Sequence, residues 1–151
     1  MRFEHEFSVD APAERVWSFL MDVPQMAGCI PGASGVTEVD DSTYDATVTA
    51  KIGPISAKFG CRIAILNLDN VAHTGSVEVS GKDTKLGGGV KAKMEMSLTG
   101  NETGPTTVRI LSDVDIMGKI GQYGHGMITK RADAMLVDFA NCVRTKLSAV
   151  S

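Results

Sequence analysis

The first residues of the chain alternate. In RFEHEFSVD, Phe3, His5, Phe7 and Val9 fall on one side and Arg2, Glu4, Glu6 and Asp10 on the other, the period of a half-buried strand. Asp10 then precedes Ala11 and Pro12, where a helix can begin with proline in its first turn. The segment PAERVWSFLMD sets Val16, Trp17 and Leu20 on one stripe of a short amphipathic helix. VPQMAGCIPGAS follows, and its prolines and glycines predict one helical turn and then a loop.

From there to about residue 117 the pattern is that of strands. Tyr44, Ala46, Val48 and Ala50 alternate with threonines and Asp45, and Ile55, Ala57, Phe59, Cys61, Ile63 and Ile65 follow a Gly53-Pro54 break. Val71, His73, Val77 and Val79 share a third face, Val90, Ala92, Met94, Met96 and Leu98 a fourth, and Val108, Ile110, Val114 and Ile116 a fifth. The connections DD, LDN and GNETGP are short and rich in turn residues, which predicts an antiparallel meander. The period then changes. Ile120, Tyr123, Met127, Ile128, Met135, Leu136, Phe139, Val143 and Leu147 recur at helical spacing, with Lys130, Arg131, Asp133, Asp138 and Arg144 assigned to the polar face.

A curved antiparallel sheet with one solvated face must bury the other, and the long C-terminal helix is its cover. The expected fold is α+β: a curved antiparallel sheet wrapped around a long C-terminal helix, with short helices after the first strand. That order of elements is the helix-grip, or START-like, order. No linker or repeat divides residues 1–151, so one domain is expected.

Composition narrows the function classes. Hydrophobic residues are 43% and charged residues 22% of the chain, the balance of a globular protein. A net charge of −3 and scattered lysines argue against a nucleic-acid surface. No apolar run approaches a membrane span and no secretory leader is legible, so a cytoplasmic location is expected. Cys29, Cys61 and Cys142 stand in no metal-ligand spacing and are expected as reduced, mostly buried thiols. Eight methionines predict a deformable interior.

Three stretches carry a resemblance: FSVDAPAERVWSFLMDVPQMAGCIPGA, AKIGPISAKFGCRIAI and VDIMGKIGQYGHGMITKRADAMLVDFANCV. Together they resemble the CoxG family of carbon monoxide dehydrogenase subunits, which lies within the START-like SRPBCC superfamily of lipid carriers, plant allergens and polyketide cyclases. The resemblance runs from Phe7 to about Leu147. It implies association with the aerobic, molybdenum-containing carbon monoxide dehydrogenase. Some members of that family continue past the long helix into a tail that could reach a membrane.

The faces expected to point inward are almost all Ala, Val, Ile, Met, Leu and Phe, and a space between sheet and helix would suit an apolar ligand. The candidate ligand-binding residues are Met26, Ile30, Phe59, Cys61, Met94, Met96, Met117, Gly121, Tyr123, Gly124 and Met127. The run GKIGQYGHG at residues 118–126 carries no phosphate-cradle motif. Its glycines fit either close helix–sheet packing or an opening at this end of the helix, faced by Met26 and Ile30 on the MAGCIPGA loop. Catalysis has little support: His5, His73, Tyr44, Cys61 and Ser112 break the apolar faces without forming a dyad by spacing, and no metal or catalytic residue is assigned. His5 is expected as a hydrogen-bonded core histidine and His73 as a residue near the rim.

The resulting expectation is a non-catalytic carrier of a hydrophobic small molecule. An isoprenoid respiratory quinone such as menaquinone fits, because an enzyme oxidising carbon monoxide must pass electrons onward and such quinones are apolar and membrane-resident. The expected partners are that quinone, the dehydrogenase and the inner face of the cytoplasmic membrane, with no covalent cofactor and no nucleic acid. Two rivals stand beside it: a ligand-free recruitment or maturation factor for the dehydrogenase, and a cyclase-type enzyme.

Overall fold

The computed structural model describes residues 1–52, 54–83, 87–118, 121 and 125–148. Strand β1 (Arg2–Val9) leads into helices α1 (Ala13–Met21) and α2 (Val23–Ala27). Strands β2 (Ala33–Asp40), β3 (Thr43–Ile52), β4 (Ile55–Asp69), β5 (Thr74–Asp83), β6 (Gly88–Thr99) and β7 (Thr106–Gly118) follow, and α3 (His125–Ser148) ends the described chain. The strands form one antiparallel sheet in the order β1-β7-β6-β5-β4-β3-β2. Every neighbour is a hairpin partner except β1, which α1 and α2 release to the far edge beside β7.

α1 forms because Val16, Trp17 and Leu20 share a stripe that the sheet buries, together with Phe19. Asp22 ends it and opens α2, its carboxylate accepting the Gln25 backbone N–H at 3.3 Å. At 24 residues, α3 is about 36 Å long and crosses the concave face of the sheet. It approaches β1 on one side and β3 on the other.

Four local expectations are corrected. The alternating pattern shows no strand at 33–40, because β2 is an edge strand exposed on most of its positions. Val71 and His73 are not strand residues. Asp69 Oδ1 accepts the Val71 and Ala72 N–H groups at 3.0 and 2.9 Å, Val71 is 92% exposed, and His73 has φ +56°. The helix begins at His125, so Gly118 belongs to the end of β7. Gly118 has φ +79°, and a Cβ there would lie 2.2 Å from the Gly87 carbonyl oxygen, which makes glycine a requirement of the turn.

The fourth correction concerns the thiols. Cys29 and Cys142 are joined in a disulfide that ties the segment after α2 to α3, across 113 residues of sequence. Sequence separation hid the pairing; only the fold brings the two Cα atoms to 5.4 Å. Cys61 is the free cysteine.

Candidate functional site

The buried apolar residues divide into two clusters. The first joins α1 to the C-terminal half of α3 and contains Val16, Trp17, Leu20, Val108, Ile110, Phe139 and Val143, with Met26, Ile30, Met94 and Met96 packed against it. The second lies toward the start of α3 and contains Phe3, Ile52, Ala57, Phe59 and Ile128, with Cys61, Val90, Val114 and Ile116 against it.

Between them the inner face of the sheet is apolar but incompletely covered. One row runs across the strands through Tyr44, Ile63, Val79, Ala92 and Val114, and the next through Ile65, Val77, Met94, Ser112 and Phe3. Tyr44, Ile63, Ile65, Val77, Val79 and Ala92 belong to neither cluster, and all are half-buried. Side chains on the inner face of a central strand become fully buried when a helix packs down on them. Here the described elements leave solvent in contact with β4, β5 and β6, and the result is an apolar concavity under α3.

The polar groups on this face are few. His5, inward on β1, places Nε2 2.8 Å from Asp133 Oδ1 of α3, and its ring stacks on Phe3 at 6.1 Å. The fold thus builds a histidine–carboxylate pair from residues 128 apart, which spacing could not reveal. His5 Nδ1 is buried and has no hydrogen-bond partner among the described residues. Arg131 departs from its expected place on the polar face. It lies three residues after Ile128 and four before Met135, on the flank of the inner stripe, and its Nε is buried without a hydrogen-bond partner among the described residues. His73 serves the other end: Nε2 lies 3.3 Å from Glu14 Oε1 and the ring tilts over Trp17 at 5.4 Å, docking the β4–β5 turn onto α1.

The sequence candidates scatter across this architecture. Met94 and Met96 pack beside the first cluster, while Phe59 and Cys61 belong with the second, so the four do not form one continuous lining. Burial pushes the Cys61 thiol pKa up, which keeps it an apolar wall group and not a nucleophile. Met26 and Ile30, expected exposed at a mouth, are partly buried on the first cluster. Met117 and Met127 are exposed, at 49% and 43%. A Cβ on Gly121 would lie 3.0 Å from the Ile116 carbonyl oxygen, so close packing accounts for that glycine. Tyr123 and Gly124 lie outside the described residues. Sequence reasoning missed Arg131, whose signal was its position on the Ile128–Met135 stripe.

Elsewhere a depression of about 490 Å³ lies near the β4–β5 turn, bordered by Asn67, Asp69, Ser76, Glu95, Ser97 and Arg109. Its polar wall does not suit an apolar ligand. Among the described residues no three His, Cys, Asp or Glu side chains converge as metal ligands, and no helix is long and apolar enough to cross a membrane.

A seven-stranded antiparallel sheet gripping one long C-terminal helix, with two short helices after the first strand, is the START-like fold. Solved structures share it across nearly the whole chain. A conserved protein from Geobacillus kaustophilus matches with a TM-score of 0.89 at 20% identity, covering 99% of this chain and 96% of that one. A START superfamily protein from Mycobacterium smegmatis matches with a TM-score of 0.70 at 16% identity, covering 99% of both chains. The Zhui aromatase/cyclase from a Streptomyces species matches with a TM-score of 0.70 at 17% identity, covering 97% of this chain and 92% of that one. The model of the CoxG family of carbon monoxide dehydrogenase subunits matches residues 6–148, and the chain belongs to that family. A sequence comparison with curated proteins returns no match.

Proposed function

We propose that this protein carries a hydrophobic small molecule, an isoprenoid respiratory quinone of the menaquinone type, in the concavity between β4–β6 and α3. In this reading it is a non-catalytic accessory of the molybdenum-containing carbon monoxide dehydrogenase and links that enzyme to the membrane electron-transport chain. The observation that carries the reading is the half-buried row Ile63, Val79 and Ala92, apolar surface that the described core leaves uncovered. An isoprenoid tail would cover it at a gain of about 25 cal/mol per Å². Family membership supplies the enzyme, and exposed Met117 and Met127 are apolar side chains suited to peripheral contact with the inner face of the cytoplasmic membrane.

Native mass spectrometry of the purified protein, with organic extraction of what it holds, tests the reading. An adduct with the mass of an isoprenoid quinone is expected. Protein recovered from quinone-producing cells with no apolar adduct would favour the ligand-free recruitment factor.

A cyclase-type enzyme is favoured by one observation, the His5–Asp133 pair facing the concavity, since a carboxylate-oriented imidazole can act as a general base. His5→Gln separates the two. A carrier keeps its affinity within about tenfold, whereas an acid–base enzyme loses turnover by about a hundredfold or more.

A further inference from the structure

Two polar atoms inside the protein are without partners among the described residues, and they occur at one level of the long helix. His5 is held by Asp133, and Arg131 lies two residues earlier on α3, about 3 Å along the axis. The two residues flank the inner stripe of Ile128, Ala132 and Met135 from opposite sides, His5 reaching in from β1 and Arg131 projecting from α3 itself. Buried nitrogen atoms in folded proteins are almost always hydrogen-bonded, so a pair left open beside an uncovered apolar surface marks the place of a ligand's polar end.

Their chemistry is complementary. Arg131 Nε–H can only donate, so it asks for an oxygen acceptor. The Asp133 carboxylate accepts from His5 Nε2–H, and in the neutral ring this leaves Nδ1 with a lone pair and no proton. Nδ1 then asks for a hydroxyl donor. A dione offers acceptors alone; it satisfies Arg131 and sets a carbonyl lone pair against that of His5. The corresponding diol satisfies both, one oxygen accepting from Arg131 and the other donating its hydroxyl to His5.

We infer that His5 and Arg131 form the head-group site of the carried molecule and select its reduced, hydroxyl-bearing form over the oxidised dione. The inference rests on the carrier reading above and adds a polarity and a redox preference to it. The step is binding only; no bond is made or broken by these residues.

The test uses three probes with a common decyl chain: a naphthoquinone, its naphthohydroquinone kept reduced under anaerobic conditions, and a naphthalene without oxygen. Affinities are measured for the full chain and for Arg131→Met and His5→Phe at about pH 8, where an ordinary imidazole is neutral. The unsubstituted protein is expected to bind the hydroquinone about tenfold more tightly than the quinone. That ratio corresponds to a rise of about 30 mV in the midpoint potential of the bound couple. Arg131→Met should weaken both oxygenated probes by about tenfold. His5→Phe should abolish the preference between them, and neither change should alter naphthalene binding. If a variant loses the naphthalene as well, Arg131→Gln or His5→Gln is read in its place. Equal affinity for the two redox forms, unchanged in every variant, would overturn the head-group site and leave the carrier standing. Failure of the unsubstituted protein to bind any of the three probes would overturn both.

Discussion

Ala92 sits in the middle of β6, inward, between Val79 on β5 and Val114 on β7, and belongs to neither buried cluster. Replacing it with phenylalanine asks directly whether the space beneath α3 is open. A phenylalanine side chain buries roughly 150 Å² or more; if half of that is newly withdrawn from water here, ~25 cal/mol per Å² gives about 2 kcal/mol of added stability. For a chain of this size each kcal/mol moves the midpoint by roughly 2–4 °C, so thermal unfolding followed by circular dichroism should shift upward by about 4–8 °C. The same ring would occupy the ligand's place, and the affinity for the decyl naphthoquinone should fall by more than about tenfold. A tightly packed interior reverses the first sign, because overpacking costs about 1–3 kcal/mol. A lowered midpoint in Ala92→Phe, with quinone affinity unchanged, would refute the open concavity.

Three further outcomes follow from the described contacts. Cys29→Ser with Cys142→Ser should reduce stability by about 2–5 kcal/mol in urea titrations, since the bridge closes a loop of 113 residues; an unchanged urea midpoint would show the bond is not formed in solution. Gly118→Ala should cost about 2 kcal/mol or more, because it strains a positive φ and drives a Cβ toward the Gly87 carbonyl oxygen; a neutral effect by the same titration would contradict the turn. The Asp69 carboxyl is held below its ordinary value by the Ala72 and Val71 N–H groups, so its contribution to stability is full above about pH 4 and is lost as pH falls through the lowered folded-state value. The difference in unfolding midpoint between the unsubstituted protein and Asp69→Asn should therefore narrow on acidification, and a widening would be the wrong sign.

The strands with one buried face were legible because their alternation is a direct consequence of the pleat, as in Phe3, His5 and Phe7. β2 was not, since an exposed edge imposes no pattern. Val71 and His73 read as strand because their spacing continued that of Val77 and Val79, yet the Asp69 side chain captures the backbone there and turns it. The apolar character of the site could be read from the same alternation, whereas its division into two clusters depends on how far α3 stands from β4–β6. His5–Asp133 and Cys29–Cys142 are long-range pairs set by the tertiary fold alone. Arg131 was assigned to solvent by residue type, although its position in the helical period placed it beside Ile128 and Met135.

The central claim is that this protein withdraws an apolar molecule from a membrane and holds it. The direct measurement mixes the purified protein with phospholipid vesicles containing an isoprenoid naphthoquinone, removes the vesicles by centrifugation, and assays quinone in the supernatant. The account predicts quinone rising with protein and saturating near one molecule per chain, with Ala92→Phe leaving it in the pellet. Quinone that stays with the vesicles at every concentration of folded protein would contradict the claim.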